Sequence, residues 1–125
     1  MATNDNRRRK RIMIVDDDLA VLEVLQLMLE GDYDIITARD GKEAVEKFKV
    51  YRPDLVIMDI VMPEMDGIQA TKEILKIDPN AKIVAISAYA RHKGKDMLDA
   101  GALELLDKPF TKAKLMKIVK KYISD

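Results

Sequence analysis

Residues 54–67 read DLVIMDIVMPEMDG, from Asp54 to Gly67, and the run Leu55 to Met58 inside them has no polar alternation. A strand apolar at every position is buried on both faces, the condition of a parallel sheet covered by helices on each side. Strands end where polar loops begin, so taken alone Asp59 reads as the start of a loop. The rest of the chain gives that carboxylate a second reading.

Working outward, Pro53 breaks the preceding helical pattern and lets strand three begin. Before it, Gly41 to Tyr51 places Ala44, Val45 and Phe48 on one helical face, and Asp34 to Ala38 reads as a strand. Ile12 to Asp16 is a short apolar run leading to Leu19 to Leu29, rich in Leu and Val at helical spacing. After it, Ile68, Thr71, Ile74 and Leu75 mark a third helix that Asp78-Pro79-Asn80 ends, and Lys82 to Ser87 is a β-branched strand. Ala90 to Ala100 predicts a weak helix, because Gly94 inside it costs on the order of 1 kcal/mol relative to alanine; this predicts a mobile fourth helix, with Gly101 as its C-cap. Leu103 to Leu106 is the fifth strand, and Leu115, Ile118, Val119 and Tyr122 repeat at helical spacing in the last helix. Strand and helix alternating five times predict an α/β fold, a (βα)5 three-layer sandwich with helices on both faces of a parallel sheet.

Composition narrows the chemistry. The 125 residues suit one domain. With 48% hydrophobic and 35% charged residues the chain reads as an ordinary soluble one, and no apolar run spans a bilayer or resembles a signal peptide, so a cytoplasmic location without membrane contact is expected. The absence of cysteine excludes disulfides, thiolate metal sites and cysteine nucleophiles, and the single His92 cannot build a histidine-rich zinc site. Lys+Arg and Asp+Glu balance at 22 each, leaving no global field for nucleic acid. Residues 1–11, with the cluster Arg7 to Arg11, read as a basic flexible tail, and 12–125 as the folded domain; no aromatic residues interleave the basic cluster as a nucleic-acid arm would favour. Met58, Met62, Met65 and Met97 read as core filling and loop packing rather than as an adaptable surface.

In an open parallel sheet, ligands bind beyond the carboxyl ends of the strands. Asp16-Asp17-Asp18 follow strand one, Asp59 ends strand three, Ser87 ends strand four, and strand five leads into Asp107-Lys108-Pro109. Each is bland alone: Asp18 reads chiefly as a helix cap, and Ser87 and Lys108 as ordinary strand-end residues. Together they bring acids, a hydroxyl and an amine to one edge. Clustered carboxylates repel unless a cation compensates them, and an all-oxygen set suits Mg²⁺. An aspartate beside Mg²⁺ and Lys108, with Ser87 as donor, is equipped to attack phosphorus.

On these motifs the stretch from about Arg11 to Ser124 resembles the receiver domain of two-component response regulators. VDDD at Val15 to Asp18, MD at Met58-Asp59, MPEMDG at Met62 to Gly67, SA at Ser87-Ala88 and KPF at Lys108 to Phe110 carry the likeness. It implies the doubly wound, flavodoxin-like strand order 2-1-3-4-5, of which the family's chemotaxis members are standard examples. It also implies Asp59 as phosphoacceptor, Ser87 as switch hydroxyl and Lys108 as phosphoryl contact. Mg²⁺ would be held by Asp17 directly and by Asp16 directly or through water, with Asp59 and the backbone carbonyl of Val61. The Lys108-Pro109 bond is expected to be cis. The implied partners are a sensor histidine kinase, a downstream protein target or histidine phosphotransfer protein, and a phosphatase.

Two positions depart from the family pattern. Leu105 stands where many members carry a rotating aromatic residue, and Tyr89 is a candidate substitute or gate. The expected activity is that of a stand-alone response regulator, switched at its α4-β5-α5 face, with a lean towards chemotaxis, and not that of an enzyme on a separate substrate. The alternatives are a relay shuttle between phosphotransfer proteins and an aspartate-nucleophile phosphohydrolase. The latter wants a second acid two residues after the nucleophile, where this chain has Val61. A flavin module of the same topology would meet repulsive acids after strand one.

Overall fold

The computed structural model describes residues 9–87 and 90–123, the side chains of residues 90–92 apart. The parallel sheet is built from β1 (Arg11–Val15), β2 (Asp34–Ala38), β3 (Leu55–Asp59), β4 (Ile83–Ser87) and β5 (Glu104–Asp107). Its order is β2-β1-β3-β4-β5, as the resemblance implies. Between the strands run α1 (Leu19–Leu29), α2 (Gly41–Tyr51), α3 (Gly67–Ile77) and α4 (Ala90–Ala100), with α5 (Lys112–Ile123) last.

Strand alternation divides the core in two. Ile12, Ile14, Leu55, Ile57, Val84, Ile86 and Leu106 point to the side covered by α1 and α5. Met13, Val15, Val56, Met58, Ile83 and Ala85 point to the side of α2, α3 and α4. Every residue of β3 is buried, as its unbroken apolar run requires. Met58, Met62 and Met97 are buried and Met65 packs against them, so these methionines fill the core.

The helix starts are fixed by aspartates. Asp18 accepts from the Ala20 amide, Asp40 from Glu43 and Asp66 from Gln69, each at 2.8–2.9 Å, satisfying first-turn donors that have no partner within the helix. Gly101, at φ +122°, follows α4 as its capping glycine.

Strand boundaries differ from the apolar runs by a residue. Arg11 belongs to β1 rather than to a tail, because its amide donates to Asp54 Oδ2 at 2.7 Å and its carbonyl accepts from the Asp54 amide at 2.7 Å. Asp16 lies just beyond β1, though its amide still reaches the Ala38 carbonyl at 3.1 Å. β4 begins at Ile83, and β5 is shifted one residue towards Asp107, since Val84 to Ser87 pair with Glu104 to Asp107. Arg9 and Lys10 are also tied to the domain, Arg9 donating to the Glu30 carbonyl at 2.9 Å and the Lys10 carbonyl accepting from the Asp34 amide at 3.0 Å, while residues 1–8 lie outside the described residues.

On the outer strand, Tyr122 Oη donates to Glu104 Oε2 at 2.6 Å, and Lys121 pairs with the same carboxylate at 3.2 Å. This clasp joins the end of α5 to β5. The hydrogen bond to Glu104, then burial, raise the Tyr122 phenol above its ordinary value.

Candidate phosphoacceptor site

Parallel strands in this order deliver their carboxyl ends to one edge, and three acids meet there. Asp16, Asp17 and Asp59 each place a carboxylate oxygen within 4.8 Å of the others. Asp16 and Asp59 are buried, at 1% and 8% exposure, whereas Asp17 faces solvent. Lys108 reaches in from the loop after β5: its Nζ donates to Asp16 Oδ2 at 3.0 Å and lies 4.0 Å from Asp59 Oδ1. The Lys108 amide donates to the Ser87 carbonyl at 3.1 Å, and the Lys108-Pro109 bond is cis, as expected. Ser87 ends β4 beside them and is buried.

Two backbone donors orient the acids. The Asp18 amide donates to Asp16 Oδ1 at 3.0 Å, and the Ile60 amide to Asp59 Oδ1 at 2.9 Å. The Ile60 bond fixes the rotation of the Asp59 carboxylate. Burial pushes the Asp59 carboxyl up to about 7, Asp16 and more weakly Asp17 add to the rise, and Lys108 and the Ile60 amide oppose it. The site without a cation therefore holds more negative charge than one lysine offsets.

The turn after β3 tightens the site from the other side. The Gly67 amide donates to the Ile60 carbonyl at 2.7 Å, and a Cβ at Gly67 would overlap the carbonyl oxygen of Asp59 itself. Only glycine lets α3 start this close to Asp59. Glu64, at φ +67°, turns the chain between them.

The structure brings together Asp16, Asp17, Asp59, Ser87 and Lys108. Val61 lies on the loop after Asp59 with its side chain 53% exposed. Leu105 is half-buried and packs into the cluster on the α4 side, away from the acids. Tyr89 lies outside the described residues. The Ile60 amide is a further contributor that residue types do not signal, since every non-proline residue carries such a donor. Residue types likewise do not signal the recess of about 510 Å³ beside Asp17, lined by Arg39, Asp40, Glu43 and Pro63. Its signal lies in topology, because β2 next to β1 brings Arg39 alongside Asp17.

A fold and an acidic edge of this kind define a class. The family model of the response regulator receiver domain matches residues 12–120, and the chain belongs to that family. It is 43% identical over 115 residues to the chemotaxis protein CheY of Thermotoga maritima, covering 90% of this chain and 96% of that one. To the CheY of Halobacterium salinarum it is 41% identical over 112 residues, covering 88% and 93%. Among solved structures, the receiver domain of a Pseudomonas aeruginosa sensor histidine kinase superposes with a TM-score of 0.88 at 30% identity, covering 94% of this chain and 99% of that one. That structure has a magnesium ion coordinated in its active site cleft. The CheY of a CheX-CheY-BeF3-Mg complex from Borrelia burgdorferi gives 0.86 at 35% identity, covering 95% and 92%. The chain is thus a CheY-like receiver domain of two-component signalling, and among the described residues no helix is long and apolar enough to cross a membrane.

Proposed function

We propose that this receiver accepts a phosphoryl group on Asp59 from the phosphohistidine of a sensor kinase and uses it to switch a protein-binding face. The observation that carries the reading is the excess of buried carboxylate around Asp59, with Lys108 4.0 Å away and Asp16 and Asp17 within 4.8 Å. Three hard oxygen donors short of positive charge fit Mg²⁺, which Asp16, Asp17 and Asp59 would hold with the Val61 carbonyl. Once bound, the ion would supply charge neutralisation to the acids and to the phosphoryl oxygens.

The chain's own groups do the rest. A carboxylate oxygen of Asp59 attacks phosphorus, the P–O bond forms as the P–N bond to the donor imidazole breaks, and the imidazole leaves with its electron pair and takes up a proton. The Ile60 amide fixes the rotation of the carboxylate. Lys108 Nζ offsets charge on the transferred group, and the Ser87 hydroxyl donates to one of its oxygens. The chain would catalyse its own phosphorylation and hydrolysis and transform no separate substrate. The covalent change then shifts the balance between two arrangements of the α4-β5-α5 face.

Similarity to CheY proteins across nearly their whole length supports an output in chemotaxis over a relay between phosphotransfer proteins. Partners of the receiver would then be a sensor kinase, a target protein and a phosphatase, in the cytoplasm. An aspartate-nucleophile phosphohydrolase is disfavoured by the exposed apolar Val61 where its second acid would stand. Intact mass after incubation with acetyl phosphate, with and without Mg²⁺, tests the reading. One Mg²⁺-dependent phosphoryl adduct that Asp59→Asn lacks is the expected result. An adduct retained by the variant would move the acceptor elsewhere.

A further inference from the structure

Ala38, Val15 and Met58 stand in register on neighbouring strands, so the residues that follow them, Arg39, Asp16 and Asp59, reach the carboxyl edge together. Adjacent strands lie about 4.8 Å apart, which sets the Arg39 backbone about 10 Å from that of Asp59. The strands stay joined one residue further, where the Asp16 amide donates to the Ala38 carbonyl at 3.1 Å.

Local hydrogen bonds hold Arg39 at this spot. Asp40 caps α2 by accepting from the Glu43 amide at 2.8 Å, and Glu43 Oε1 reaches back to accept from the Arg39 amide at 2.7 Å. The Gly41 amide donates to the Met65 carbonyl at 2.9 Å, and a Cβ on Gly41 would overlap that oxygen. The start of α2 is thereby fixed against the loop that follows Asp59.

The Arg39 side chain, by contrast, is exposed, and it borders the recess of about 510 Å³ shared with Asp17 and Pro63. Lys47 takes Glu43 Oε2 at 2.9 Å, so both oxygens of that carboxylate are engaged and Arg39 acts on it only through space. Among the described residues lining the recess, Arg39 is the one cation. A phosphodonor has to bring an anion to an edge that already carries Asp16, Asp17 and Asp59. Lys108 offsets those acids from the β5 side, where it is bonded to Asp16; Arg39 stands on the β2 side.

Resting on Asp59 as the acceptor, we propose that Arg39 is a positioning residue for the phosphodonor, drawing anionic donors to the Asp17 side of the site while opposing the entry of Mg²⁺. One charge acts on two incoming ligands of opposite sign, so its removal pushes them in opposite directions. A fixed charge at about 10 Å changes each by a few-fold, and salt screens the effect.

Two measurements on the full chain test this: intact mass against time with acetyl phosphate at saturating Mg²⁺, and Mg²⁺ titration followed by backbone amide shifts. At about 20 mM salt, Arg39→Ala should slow adduct formation about twofold to fourfold and Arg39→Glu about fourfold to tenfold, while both tighten Mg²⁺ binding by similar factors. Arg39→Lys should stay near the wild type in both. At about 0.5 M salt all four proteins should converge. Lys49→Ala makes the same change in net charge at the far end of α2, where Lys49 pairs with Glu46 at 3.2 Å, and should behave as wild type. Circular dichroism checks that each variant folds. No adduct on the wild type would overturn the role of Asp59 and this proposal with it. Given a wild-type adduct, an Arg39→Glu variant as fast as wild type at low salt would overturn the proposal alone. So would uptake and Mg²⁺ affinity moving in the same direction, or Arg39→Lys behaving as Arg39→Ala.

Discussion

Asp54 and Asp59 bracket the same buried strand, yet they do opposite things. At the amino end, Asp54 Oδ2 accepts the Arg11 amide at 2.7 Å and clips β1 to β3. At the carboxyl end, Asp59 faces two further acids, with one lysine 4.0 Å away, and burial pushes its carboxyl up to about 7. Both edges of the sheet carry carboxylates, but Asp54 is held by a backbone donor, whereas Asp59 lies among like charges. A carboxylate with a complementary partner holds the fold, and one among like charges waits for a cation or a covalent group.

Breaking the Asp59 end should have the largest effect. Asp59→Asn should abolish phosphoryl uptake from acetyl phosphate while leaving far-UV circular dichroism unchanged, as intact mass and spectra would show. The same variant should be more stable than the wild type in EDTA at pH 8, by up to about 4 kcal/mol, the equivalent of a carboxyl raised by roughly three units.

That margin should follow pH with a definite sign. The folded carboxyl titrates near 7 and the unfolded one near 3.8, so between them the folded state holds a proton that the unfolded state releases. Metal-free stability contributed by protonated Asp59 is therefore full below about pH 4 and lost as pH rises through about 7. Urea midpoints of wild type and Asp59→Asn should converge near pH 4 and separate by pH 8. Saturating Mg²⁺ at pH 8 should close the gap again.

Next in size, Lys108→Ala should slow phosphorylation by about 10²-fold, the usual scale for removing one charged donor at a developing anion. It should also lower metal-free stability at pH 8, because Asp16 loses its partner at 3.0 Å. Gly67→Ala should cost about 1–3 kcal/mol in urea denaturation, since the added methyl meets the Asp59 carbonyl. The smallest effect belongs to the other end of β3: Asp54→Ala should cost about 1 kcal/mol for the lost bond to Arg11 and leave the phosphorylation rate unchanged. A rate change in Asp54→Ala would blur the contrast between the two ends.

Much of this contrast is legible in the residues. The unbroken apolar run before Asp59 announces a doubly covered strand, and Asp16, Asp17, Ser87 and Lys108 declare themselves by standing at strand ends. Asp18 as a cap follows from its position before Leu19. What residue types do not convey is pairing across the chain. Arg11 joins β1 because Asp54, 43 residues away, reaches its amide. The Lys108 contact to Asp16 spans 92 residues, and the Ile60 amide that aims Asp59 is indistinguishable in sequence from any other. Strand edges shift by a residue for the same reason: the neighbouring strand, not the local run, sets where the ladder stops.

The clasp between Tyr122 and Glu104 supplies the protein with its own optical probe. The chain has no tryptophan, so phenolate absorbance is read without an indole background. Tyr122 is held to β5 through its phenol. While the strand and helix stay joined, its ionisation is delayed to higher alkalinity; any event that parts them releases the phenol to titrate earlier. An ultraviolet alkaline titration, compared with that of Tyr122→Phe, would therefore follow the outer edge of the receiver without a label.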